Sequence, residues 1–156
     1  MKRLLPFFAV FVLCAQTLFA QSLAMDIVTD PTTYIPMATF YTGERLDWNS
    51  SQPHFARGGV EVNARFTQSG LPYSRPLSYG DGNRLIVRDT LQIGALSAAN
   101  NLVMHLIERR MAATPEQHAA WKRLSRVERI TVASALAFGL SSAHFQQWRS
   151  NTRSLR

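Results

Sequence analysis

The chain has 156 residues, which leaves room for one ordinary domain or for a small domain with an anchor. Its 17 basic residues outnumber the 10 acidic ones for a net charge of +7. The one cysteine, Cys14, lies in the N-terminal apolar run, so a disulfide framework is excluded.

Met1-Lys2-Arg3 followed by the apolar run Leu4 to Leu18 reads as a secretory signal. Ser22 and Ala24 supply the small residues at −3 and −1, so the signal spans 1–24 and the mature chain starts at Met25. Leu13 before Cys14 is not small, which excludes lipidation.

Residues 25–82 hold five of the seven prolines and six of the eight glycines. That punctuation predicts a turn-rich exported segment without long helices. Val60 to Thr67 alternates apolar and polar residues, the period of a half-buried strand. Met37–Thr42 is a second short strand able to pair with it as a ribbon, leaning on the helices that follow. Asn49-Ser50-Ser51 reads as a surface loop. Asp81-Gly82-Asn83 reads as a turn that caps the next helix and not as a calcium loop, because the following residues lack the oxygen ligands.

Residues 83–151 read as an antiparallel two-helix hairpin, with a basic tail at 152–156. Thr90–Ile107 contains 18 residues without a charge and Ile130–Trp148 contains 19. The first helix ends near Arg109-Arg110. Thr114-Pro115-Glu116-Gln117 starts the second, with Thr at the N-cap, Pro at N1 and Gln at N3. Six basic residues, from Arg109 to Arg129, separate the two runs as in a cytoplasmic loop. Gly94 and Ala98, and likewise Ala133, Ala137 and Ser141, form small-residue stripes that let helices approach closely. The fold class expected is therefore mainly α: a hairpin inserted in the inner membrane, preceded by the Pro/Gly-rich segment on the periplasmic side. Gln92, Asn100, Asn101 and His105 weigh against lipid, and the alternative is a soluble periplasmic helical module.

In such a hairpin His105 and His144 differ in depth by roughly 15 Å, which excludes a shared metal ion. Asn100, Asn101, His105, Ser134, Ser141 and His144 are instead assigned as polar contacts between helices. No nucleophile, base or metal set has the spacing of a catalytic site, so neither an enzyme nor a cofactor is expected. Export excludes nucleic acid and directs the basic half toward membrane lipid or an envelope protein, with self-association open. The function expected is a non-enzymatic interaction or structural role in the cell envelope. The alternative is a periplasmic module that binds a partner or small ligand through its polar helix face.

Overall fold

The computed structural model describes residues 20–111 and 113–154. Most of the expected signal, residues 1–19, lies outside them; residues 20–29 are helical (α1). Asp30 then caps a 3-10 turn over Pro31–Thr33, its carboxylate accepting from the Thr32 backbone N–H at 2.9 Å. Three long helices follow: α2 over Ile35–Ala56, α3 over Tyr79–Met111 and α4 over Pro115–Ser154.

Helix α2 corrects the expected fold. Its 22 residues occupy ground read as turns and a strand, Met37–Thr42 included. The prolines and glycine sit where a helix tolerates them. Pro36 is in the first turn, where a missing N–H loses no bond. Pro53 stands one turn from the C-terminus, so the helix runs only three residues further. Gly43 is buried at the α2–α4 seam, where a Cβ would stand 3.3 Å from the Phe145 ring. Gly58, at φ 85°, ends the helix, its N–H bonding the Phe55 carbonyl at 3.0 Å.

The two-helix hairpin is not the unit of packing either. The principal neighbour of α4 is α2, with α3 packed against both. The basic stretch between the charge-free runs is no loop: α3 ends at Met111 and α4 begins at Pro115, so Lys122, Arg123, Arg126 and Arg129 belong to α4. No helix among the described residues is long and apolar enough to cross a membrane, which overturns the transmembrane and inner-membrane assignments. The physical reason lies in the polar content of the runs. Asn101, Ser97 and Thr90 of α3, and Ser141 of α4, are buried inside the protein.

Local start signals are sharper. Thr114 accepts from the Gln117 N–H at 3.3 Å, while the Gln117 side chain accepts from the Ala113 N–H at 3.0 Å. At the start of α3 the capping residue is Ser78, whose hydroxyl accepts from the Asp81 N–H at 3.1 Å; Asp81 to Asn83 lie inside the helix.

The 57–78 connection carries isolated antiparallel bridges, Glu61 with Ser74 and Thr67 with Pro76, in place of a strand ribbon. Phe66 in its 3-10 turn Ala64–Phe66 packs with Trp48 of α2 and Ile86 of α3 in the aromatic core cluster. Arg65 adds an ion pair to the buried Asp89 of α3. These contacts pin the connection over one end of the α2–α4 seam and wall off a cleft there.

Candidate functional site

Two polar clusters lie between the helices. The first joins the N-terminal segment to α3 and α4. Arg129 is buried, with Nε 2.9 Å from the Asp30 carboxylate in an ionic approach that lacks hydrogen-bond alignment. Its Nη1 donates to Ser125 Oγ at 2.6 Å, and Ser125 donates to Glu108 at 2.9 Å. His105 stands 3.8 Å from Asp30 and 3.9 Å from Glu108. Burial, then the Arg129 charge, pushes His105 below its usual range. Burial acts to raise the Asp30 carboxyl, but hydrogen bonds from Thr32 and the Arg129 charge outweigh it and hold the group below its ordinary value. Arg109 pairs with Asp26 and donates to Ser22 at 3.0 Å. Asn101 donates to Thr33 at 2.7 Å and Thr32 at 3.0 Å. Nearly every group here has a partner inside the protein, so the cluster fastens the N-terminal segment and leaves little free chemistry.

The second cluster is different. Glu44 and Asp47 are one turn apart on α2 and face His144 of α4. His144 Nδ1 is 3.0 Å from Asp47 and Nε2 is 3.4 Å from Glu44 Oε1. The close approach at Gly43 brings them into range, and the Phe40 ring meets the imidazole edge-on. The hydrogen bond to Asp47 raises His144 above its usual range, against the effect of burial. Glu44 is 4% exposed, and its Oε2 is buried without a hydrogen-bond partner. Burial raises its carboxyl to about 7 even though the His144 charge opposes the rise. Both shifts favour keeping a proton within the cluster.

These residues line a cleft of about 690 Å³, closed on the other side by Glu61, Val60 and Val62 of the connection. Burial raises Glu61 as well, and its side chain accepts from the Asn63 N–H at 2.7 Å. At the α4 end Asn151 donates to Ser50 at 3.1 Å and Ser51 at 2.9 Å, closing that edge. Phe55 adds an apolar wall. The volume is in the range of small-molecule sites.

The residues singled out in the sequence are distributed among different places. Asn100 donates to Glu128 across α3 and α4 at 3.4 Å. Asn101 and His105 reach the N-terminal segment, whereas His144 reaches α2. Ser134 is exposed. Ser141 is buried, with a hydroxyl that lacks a hydrogen-bond partner. His105 and His144 occupy separate clusters, and no group of three metal-ligating side chains suited to an ion occurs among the described residues. Sequence reasoning missed Glu44, Asp47 and the cleft role of Glu61. A helical signal was present: Phe40, Glu44, Trp48, Ser51 and Phe55 recur at spacings of three and four.

No known protein family matches the chain, and neither a curated protein nor a solved structure does.

Proposed function

We propose that the chain is a helical binding module that takes a small ligand in the cleft between α2, α4 and the 57–78 connection. The observation that carries this reading is the Glu44 carboxylate, buried in the wall of that cleft with one oxygen lacking a donor. An unsatisfied buried acceptor is destabilising by about 1–3 kcal/mol, and a ligand donor in the cleft would relieve that penalty. A non-catalytic role is supported by the two serines of the cleft. Ser50 and Ser51 donate to the Asp47 carbonyl and accept from Asn151, so neither is poised as a nucleophile on His144.

A fragment panel followed by protein-observed NMR tests the reading. Fragments should shift signals of His144 and Glu61, and Ala143→Trp should abolish those shifts. Ala143 lines the cleft and is exposed, so the larger ring fills it without entering the core. A panel in which no member touches the cleft would overturn the proposal.

A second reading, self-association with another copy of the chain, rests on exposed apolar rows. Val87 and Leu91 of α3 are exposed one turn apart, and Leu124, Val127 and Phe138 share one face of α4. Light scattering across a concentration series, with Leu91→Ser and Phe138→Ser, tests self-association. A concentration-independent monomer mass would remove it.

A further inference from the structure

We propose that the cleft's ligand is a small organic amine, bound as its ammonium ion by Glu44, Asp47 and Glu61 with its apolar body against Phe55 and Val62. This rests on the cleft being a binding site, and goes beyond it in naming the charge and shape of what binds.

Three carboxylates line one cavity, and one of them, Glu44, carries a buried oxygen without a donor. The cations nearby do not neutralise them. Arg65 is committed to Asp89, and Arg57 stands on the exposed lip. The group that does meet Glu44 and Asp47 is His144, with one ring nitrogen toward each. The imidazole thus stands where a cation would sit between two carboxylates, and the hydrogen bond to Asp47 favours its charged form. An ammonium group carries three N–H donors, enough for Glu44 Oε2, Asp47 and Glu61 together. Its arrival makes the imidazolium redundant, and the proton leaves His144 for the buffer while the ammonium charge replaces it. Neutral or anionic ligands lack this exchange, and an anion would face Asp47, Glu61 and, once it is ionised, Glu44 as like charges.

The titratable and charged groups around the site come from every element packed there: Glu44, Asp47 and His54 of α2, Asp89 of α3, His144 of α4, and Arg57, Glu61 and Arg65 of the connection. Glu44 accepts its proton near neutrality, so amine binding should strengthen as pH rises from 5.5 to 8.

The test uses the full chain with three probes of one shape: 2-phenylethylamine, 2-phenylethanol and phenylacetate. Calorimetry in two buffers of different ionisation enthalpy counts protons, and NMR locates the contacts. The amine should bind at least tenfold more tightly than the other two, shift the His144 and Glu61 signals, and release a proton near pH 6.5. Glu61→Gln, which keeps the acceptor to Asn63, should weaken the amine several-fold with the fold intact. Glu44→Gln should weaken it at least tenfold and remove the Glu44 part of the pH dependence, leaving only that of His144. Equal or tighter binding of the alcohol or the carboxylate in the cleft would overturn the amine and leave the cleft reading standing. If neither these probes nor a broad fragment panel shifts any cleft signal, both readings fall.

Discussion

Glu44 Oε1 stands 3.4 Å from His144 Nε2, while the other oxygen of the same carboxylate is buried without a partner. This half-satisfied pair ties the stability of the α2–α4 seam to pH. Glu44 titrates at about 7 in the folded chain against an ordinary 4.5, so across that window the folded state binds more protons than the unfolded one. The stability contributed by Glu44 therefore falls as pH rises from 4.5 through 7. His144, also raised, acts in the same direction: its contribution is present below 6.5 and is lost as pH rises through its folded value. His105 and Asp30 are both lowered and act oppositely, losing stability as pH falls. Comparing Glu44→Gln with the parent reads Glu44 together with the support it gives to His144. The variant should gain about 2–3 kcal/mol on the parent between pH 4.5 and 8, measured by urea unfolding at each pH. A difference that does not change with pH would show that Glu44 titrates normally.

Gly82 and Gly94 lie one after the other along α3 but should respond differently to alanine. A Cβ on Gly82 would stand 2.3 Å from the Trp48 ring, in the core cluster with Phe66 and Ile86. The rigid indole must move, so Gly82→Ala should destabilise by about 2–3 kcal/mol. A Cβ on Gly94 meets Met37 Sδ at 2.9 Å, part of a flexible side chain that can turn aside. The helix preference for alanine, about 1 kcal/mol, then offsets most of the crowding. Denaturant midpoints of the two variants should differ clearly, with Gly82→Ala the lower.

That contrast also explains what the sequence made legible. The helical extent of α3 and α4 and the Thr114-Pro115 start followed from local chemistry: charge-free runs, a cap, and basic residues near an end. Helix α2 did not, because Pro36, Gly43 and Pro53 are breakers by local rules. Their harmlessness depends on position, and for Gly43 on a ring about a hundred residues away. The charge-free runs suggested lipid because a count of charges does not see which side of a helix is buried. In α4 the buried residues include Ser125, Ala133, Ala137 and Ser141, while Leu124, Val127 and Phe138 are exposed. His144 was noticed, but its partners Glu44 and Asp47 come from the segment read as turns, so the cleft could not be assembled from the sequence.

Arg129 should be the most sensitive basic residue of α4. It is buried against Asp30 and near Glu108, with Ser125 bridging. Arg129→Met keeps length and packing but leaves the buried Glu108 and the half-buried Asp30 without their cation. At pH 7 the loss should be about 3–5 kcal/mol, and it should shrink toward pH 4, because without the Arg129 charge burial raises the Asp30 carboxyl. Arg126→Met, at an exposed position on the same helix, should change stability by less than about 0.5 kcal/mol. Thermal melts at both pH values would check the pair, and equal effects would mean that the buried network contributes nothing specific.

The titration of His144 reports directly on the seam geometry. In the parent, the Asp47 carboxylate accepts from the ring at 3.0 Å and holds the imidazole above its usual range, against burial. Asp47→Asn removes the negative charge and keeps a polar group of the same size. Burial then dominates, and the His144 midpoint should drop below 6.5. Gly43→Ala should have a smaller effect in the same direction. Its Cβ would meet the Phe145 ring at 3.3 Å and His144 Cβ at 3.5 Å, so α4 must yield by a few tenths of an ångström. That displacement lengthens the contacts from His144 to Asp47 and Glu44 together. Ring-proton NMR from pH 5 to 9 should therefore give midpoints in the order parent, Gly43→Ala, Asp47→Asn, highest first. His105, in the separate cluster with Asp30 and Glu108, should not move in either variant. If Asp47→Asn leaves the His144 midpoint where it was, the imidazole does not take its charge from α2, and the proton-sharing cleft would have to be abandoned.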